Sequence, residues 1–254
     1  MNPPNTLHTP RDLYIRRSRP SDAQAVSRIC LLTADAGNSS ENKHTIAELP
    51  GLCYAVPYLH LSHSGGFVLI RPGSTSIDDA QLRDDDGNIV VAYVVFTTDT
   101  VAFNSTQASN WFPSLRVKYP LSLLDSDAPF CGKRSDGNDL VSPRPPSFLL
   151  DKDIQYIKLL HTPEPPEQAC LTFSPAHMHI NVLPPYQRQG WGRRLLDSVV
   201  AHLRDEHGLH GIWLGMDPSN HKAALFYEKI GFRHENVIGA PQNFLGLKFS
   251  DWTR

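Results

Sequence analysis

Apolar positions change their spacing several times along the 254 residues, and each change marks an element. "LYIRRSR" (13–19) alternates and predicts a first strand. In the following "PSDAQAVSRICLLTADA", Ala25, Val26, Ile29 and Leu32 share one stripe, which predicts a helix capped by Ser21 or Asp22. "FVLI" (67–70) and "NIVVAYVVFTT" (88–98) are strand-like, joined by a segment too polar and too long for a tight turn. "STQASNWFPSLRVKYP" reads as a helix with Trp111, Leu115 and Val117 inside and Pro120 as its stop.

Beyond Cys170 the pattern is more regular. "HMHINVL" is a strand, and "GRRLLDSVVAHLRDEHG" is a helix with Leu195, Leu196, Val199, Val200 and Leu203 on one face, closed by Gly208. "GIWLGM" is a strand. "DPSNHKAALFYEKIGF" is a helix with Asp217 as cap, Pro218 in its first turn and Gly231 at its end, and "FLGLKF" is a last strand. The order β-α-β-β, insertion, β-α-β-α-β predicts a mixed α/β (α+β) fold on one central sheet.

Composition narrows the class. Residues 1–12 are polar and proline-rich, as in a flexible tail, and 125–150 read as an irregular surface insertion in a single domain over 13–254. The 24 Lys+Arg and 26 Asp+Glu nearly cancel, which gives no nucleic-acid footprint. No apolar run suits a signal peptide or a bilayer span, so the expectation is a cytoplasmic protein, with the nucleus open and no membrane partner. The four cysteines (Cys30, Cys53, Cys131, Cys170) form no CxxC pair, so neither a zinc site nor a disulfide framework is expected. Monomer and homodimer both stay open.

One stretch carries chemistry. "LPPYQRQGWGRRLLDSVV" (183–200) turns a strand into a helix through Gly190 and Gly192, with Arg188, Arg193 and Arg194 alongside. Unpaired N–H groups and the helix dipole make such an elbow an anion site, although the same residues also suit a plain tight turn. The spacing is neither a dinucleotide fingerprint nor a P-loop. On the next helix Asn220 and Tyr227 lie two turns apart, with small Ala223 between them.

Gln187-x-x-Gly190-x-Gly192 followed by Asn220-x-x-Ala223-x-x-Phe226-Tyr227-x-Lys229-x-Gly231-Phe232 resembles the GCN5-related N-acetyltransferase (GNAT) superfamily. That resemblance implies a mostly antiparallel twisted sheet with splayed central strands and flanking helices. It implies acetyl-CoA as donor, with CoA as product. Asn181, Val182 and Leu183 would pair with the pantetheine arm. Gln187, Arg188, Gln189, Gly190, Trp191, Gly192, Arg193 and Arg194 would hold the pyrophosphate, and Asn220 and Tyr227 would complete the site. "GLCYAVPYL", "AYVVFTTDTVAFN", "NWFPSLRVKYP" and "FSPAHMHINVLPPYQRQGWGRRLLD" further resemble the acetyltransferase-like domain of protein O-GlcNAcase and its stand-alone microbial relatives, over about residues 13–250. Those relatives tend to carry an aspartate where this chain has Asn181, and an amide cannot act as a base.

Acetyl transfer to an amine needs a base, a polarised carbonyl and an acid for the leaving thiolate. Tyr227 is the expected acid, or else a core tyrosine. His177 and His179 share a strand face with Asn181 and suit a base, a structural pair, or less readily a metal pair. Asp99 would take a proton, bind a cationic acceptor, or cap a helix. Tyr54, Tyr58 and Trp111 would line an acceptor cleft or the core. The expected function is direct transfer from acetyl-CoA to an amine of a small molecule or protein lysine. The alternative is a cofactor-binding interaction module without turnover.

Overall fold

The computed structural model describes residues 13–73, 77–124, 130–133, 139–142 and 149–253. The expected tail, 1–12, lies outside them. Six strands form the main sheet: β1 (Tyr14–Arg17), β2 (Ser64–Arg71), β3 (Ile89–Thr97), β6 (His177–Val182), β7 (Gly211–Gly215) and β8 (Phe244–Lys248), in that spatial order. Every neighbouring pair is antiparallel except β6–β7. β3 is buried along its whole length, which is why its sequence, IVVAYVVFT, is nearly continuous apolar rather than alternating.

The parallel contact is the fold's decisive irregularity. β6 and β7 are in register only at His177 and Trp213, where the Trp213 N–H donates to the Ala176 carbonyl at 3.1 Å. Past that point the strands part, so the sheet is split along one edge of β6.

Helices cover both faces. Tyr93 turns its ring toward Cys30 of α1 (Ala23–Leu31), whereas Phe96, out of phase by three, meets His202 just after α7 (Trp191–Ala201). The α7 stripe Leu195, Leu196, Val199, Val200 and Leu203 is fully buried, as its spacing predicts. A second core joins α2 (Leu49–Tyr54), α4 (Phe112–Lys118) and α5 (Asp151–His161) through Leu49, Phe112, Leu115, Tyr119, Ile157 and Leu160. The remaining helices are α3 (Thr100–Thr106), α6 (Gln168–Phe173) and α8 (His221–Lys229).

Several expectations need correction. Val117 is 82% exposed, because the stripe of α4 runs through Phe112, Leu115 and Tyr119 instead. Asp22 does not cap α1; its buried carboxylate turns back to the Arg19 N–H (2.7 Å) and the Arg16 guanidinium (2.8 Å). Asp217 accepts from Ser219, and the cap of α8 is Asn220, whose Oδ1 accepts from the Ala223 N–H at 3.1 Å. Inside the 125–150 stretch, β4 (Phe130–Lys133) and β5 (Asp139–Ser142) pair as a two-stranded ribbon. α2, α5 and α6 had no clear stripe in the sequence, since each is short or carries a weak apolar face.

Candidate functional site

The open edge of β6 leads directly to the elbow. Leu183 donates its N–H to Val91 on β3 (3.1 Å), whereas the Ala176 carbonyl faces β7. With a period of two, Met178, Ile180 and Val182 turn their backbone polar groups away from β3, and His179 and Asn181 turn theirs toward it; the His177–Trp213 bridge uses the Met178 N–H and Gln187 takes the Val182 carbonyl, which leaves the Ile180 groups and the Val182 N–H on the gap. The groups on the gap are those of Ile180 and the Val182 N–H, whereas the N–H of Leu183 and the backbone groups of Asn181 face β3.

After a short turn at Pro184–Tyr186, the chain passes through two left-handed residues, Arg188 (φ 58°) and Gly190 (φ 84°), into α7. The first hydrogen bond of that helix runs from the Arg194 N–H to the Gly190 carbonyl (3.1 Å). Among the described residues, the N–H groups of Arg188, Gln189, Gly190, Trp191, Gly192 and Arg193 find no backbone acceptor. Six free donors at the start of an 11-residue helix form a concentrated anion-binding surface.

The two glycines do different work. No atom lies within 4 Å of where a Cβ on Gly190 would sit, so its backbone faces open space and glycine is required by its φ. A Cβ on Gly192 would meet the ring of Phe226 at 3.0 Å, so this glycine lets α7 and α8 approach each other. The elbow and the second motif are thus packed together.

The polar side chains of the elbow are mostly tied to protein. Gln187 Nε2 donates to the Val182 carbonyl (2.8 Å) and Gln189 Nε2 to the Pro185 carbonyl (2.7 Å), so both amides hold the turn. Arg193 lies over the Trp252 ring (4.7 Å) and bonds the Thr253 carbonyl, and Arg194 lies over Trp191 (4.6 Å). Trp191 is buried, so it supports the helix start from beneath. Arg188 is exposed and makes no hydrogen bond among the described residues.

The polar face of β6 separates into three environments. His177 is buried, with Nε2 at 2.6 Å from the Tyr58 hydroxyl and Nδ1 at 2.7 Å from the Thr100 hydroxyl. Thr100 donates to the Pro175 carbonyl (2.6 Å), so it accepts from His177 Nδ1–H, and Nε2 accepts from Tyr58. Burial pushes the His177 pKa down to about 3, and the ring has no nitrogen left for a substrate. His177 is therefore not a base, and Tyr58, buried and stacked on Phe103 (4.4 Å), does not line an open cleft.

Asn181 is also committed: its amide donates to Thr33, and its Oδ1 accepts from Tyr93 (3.1 Å). His179 differs from both. Its ring is half-buried, lies 5.5 Å from Tyr54, and has no hydrogen-bond partner among the described residues. Burial pushes its pKa down to about 4, which keeps the imidazole neutral and its lone pair free at neutral pH.

The other candidates are spread out. Asp99 caps α3 by accepting from the Ala102 N–H (3.0 Å), beyond the His177 end of β6 and away from the elbow. Trp111 donates its indole N–H to the Leu52 carbonyl (2.9 Å) and stacks on His60, which makes it a strut between α2 and α4. Tyr227 is buried between Phe226 and Phe232, and its hydroxyl finds no partner among the described residues. Burial raises the pKa of that hydroxyl well above its usual range, so it stays protonated. Asn220 lies against Gly37, which brings the loop after α1 to the mouth of the gap. The sequence did not single out Thr33, Gly37 or Tyr156, since their positions depend on long-range packing. Among the described residues, no group of three His, Cys, Asp or Glu side chains is placed to hold a metal ion, and no helix is long and apolar enough to cross a membrane.

Residues 157–232 match the model of the acetyltransferase (GNAT) family, a stretch that contains β6, the elbow and α8. The sheet topology and the matched stretch are thus both similar to that family. Fifty-nine residues are 39% identical to the "[Ribosomal protein bS18]-alanine N-acetyltransferase" of Escherichia coli (strain K12), and the same identity holds for the Haemophilus influenzae protein of that name. That similarity covers 23% of this chain and 39% of each relative's length. The crystal structure of SsHAT superimposes with a TM-score of 0.66 at 29% identity, over 93% of this chain and 98% of that one.

Proposed function

We propose that this protein is an acetyl-CoA-dependent N-acetyltransferase that transfers the acetyl group directly to an amine. The observation that carries the reading is the continuity of the split sheet with the elbow. An edge of β6 left open beyond the Met178 N–H, at Ile180 and Val182, runs into six N–H groups without a backbone acceptor at a helix start. An extended amide-bearing arm ending in a diphosphate has the matching chemistry, acceptors and donors first and then an anion. Open space beside left-handed Gly190 allows that anion close to the backbone.

Acetyl-CoA, when bound, supplies an acetyl group activated as a thioester. The chain's residues handle the protons. Neutral His179 is the accepting group, because His177 has both ring nitrogens occupied and the Asp99 carboxylate is engaged as a helix cap. Tyr227 holds a hydroxyl proton with no protein acceptor, which suits it to protonate a leaving thiolate. Described cysteines Cys30, Cys53 and Cys170 are buried, with thiol pKa values raised by burial, so none is suited to carry an acyl group. The resemblance to the acetyltransferase-like domain of O-GlcNAcase is part of this reading and rests on the quoted sequence stretches.

One observation favours a second reading, a cofactor-binding module without turnover: two of the three base candidates are committed to structure. Calorimetry with acetyl-CoA and release of free CoA over a panel of amines separate the two. Acetyl-CoA should bind, and Gly190→Glu should weaken binding at least 100-fold by placing a carboxylate in the anion site. Normal binding by that variant contradicts the elbow's role. Binding without CoA release favours the module.

A further inference from the structure

An aromatic box stands beside the split in the sheet, and two of its three residues, Tyr54 and Tyr156, lie outside the matched segment 157–232. Tyr54 ends α2, Tyr156 sits in the middle of α5, and His179 sits in the middle of β6. The Tyr54 ring is 5.5 Å from His179 and 5.7 Å from Tyr156, nearly perpendicular to the latter. Tyr54 is 38% exposed, so the box opens to solvent. Among the described residues, neither tyrosine hydroxyl nor either His179 nitrogen has a hydrogen-bond partner. Three side chains in one ring cluster centred on Tyr54 thus carry polar atoms without partners, unlike Tyr58 and His177 deeper in the fold.

The walls are rigid. Behind Tyr156, buried Asp153 accepts from His44 Nδ1 (2.9 Å) and from the backbone N–H groups of Thr45 (2.8 Å) and Leu150 (3.2 Å), which pins α5 to the segment before α2. The His44 ring also packs on Tyr156 at 5.2 Å. The mouth carries acidic groups: Glu164 acts electrostatically on Tyr54, and Asp217 on Tyr156. Lys43 and Lys152 act on Asp217, and Lys43 is paired with Asp35.

We propose that Tyr54, Tyr156 and His179 form the acceptor subsite, and that it takes a protonated primary amine on a flexible aliphatic arm. The inference rests on the donor reading given above. Aromatic faces attract an ammonium group, and two tyrosine rings at right angles surround it better than one. An arylamine is uncharged at neutral pH and gains nothing from this attraction, and an alcohol carries no charge either. Tyr156 is then the residue that sets acceptor specificity, while His179 remains in reach of the amine's proton.

The test uses the full chain with acetyl-CoA, 1,4-diaminobutane and Nα-acetyl-lysine methylamide as aliphatic amines, and aniline as the arylamine. The aliphatic amines should be acetylated with kcat/KM at least tenfold above the arylamine. Tyr156→Leu should raise the amine KM about tenfold with kcat within about twofold, and Tyr156→Phe should restore KM to within about threefold. The Kd for acetyl-CoA should be unchanged in both variants. An unchanged amine KM in Tyr156→Leu, preference for the arylamine, or acetyl-CoA binding with no aliphatic amine turned over would each overturn the subsite and leave the donor reading intact. Failure of the unaltered protein to bind acetyl-CoA would remove the donor reading and the subsite with it.

Discussion

The two ends of β6 are only about five residues apart and are built on opposite principles. At the His177 end, the strand is closed against β7, and the polar groups form a complete chain from Tyr58 through His177 and Thr100 to the Pro175 carbonyl. At the Val182 end, the strand edge is open and six successive N–H groups beyond it have no backbone acceptor. The buried tyrosines follow the same division: Tyr58 has its hydroxyl bonded, and Tyr227 has none among the described partners. The buried polar atom left without a partner at the open end is Trp191 Nε1, beneath the helix start; such a group costs about 1–3 kcal/mol, so folded proteins rarely keep one for stability alone. The closed end holds the sheet together where it must later divide, and the open end keeps its polar groups for a ligand.

Substitutions at the two ends should therefore fail in different ways. The largest expected effect is on stability at the closed end. His177→Ala leaves the Tyr58 hydroxyl unpaired and opens a cavity, and should lower the unfolding free energy by about 3–5 kcal/mol in urea titrations. Next in size is Tyr227→Phe, which should reduce kcat about 10–100-fold while leaving the urea midpoint and the acetyl-CoA Kd nearly unchanged. A marked loss of stability there would make Tyr227 a core residue and blur the contrast.

The third effect is gradual, a slope with pH. His177 and His179 have folded pKa values near 3 and 4, below the unfolded value of 6.5. In that interval the unfolded chain binds more protons, so their contribution is fully present above pH 6.5 and is lost as pH falls through about 4 for His179 and about 3 for His177. Each group contributes a slope of up to ~1.4 kcal/mol per pH unit. Chemical denaturation at several pH values should show a shallower slope in His179→Gln than in the unaltered protein.

Much of the second half of the fold is legible in the sequence, because "GRRLLDSVVAHLRDEHG" keeps one helical period throughout, and in the first half "IVVAYVVFT" is legible as an unbroken apolar run. The elbow is legible too, since a left-handed residue and a tight helix contact both demand glycine, at Gly190 and Gly192. The sequence could not reveal which backbone groups face the gap, because that depends on the register of β6 with β3. The parity argument for His177, His179 and Asn181 placed them on one face correctly but could not separate them. Whether a histidine is a base or a girder depends on Tyr58 and Thr100, which are 119 and 77 residues away in the chain. Tyr156 was invisible for the same reason: its neighbours His44 and Tyr54 come from the far side of the sequence.

The central claim is that the open edge of β6 and the elbow together receive the donor. Amide hydrogen exchange read residue by residue, with and without acetyl-CoA, tests it most directly. The account predicts new protection at Ile180 and Val182 and through Arg188–Arg193, with little change at Met178, bridged to β7, or at His179 and Asn181, whose N–H groups already face β3. Protection that appears equally on both sets, or that avoids the elbow altogether, would contradict it.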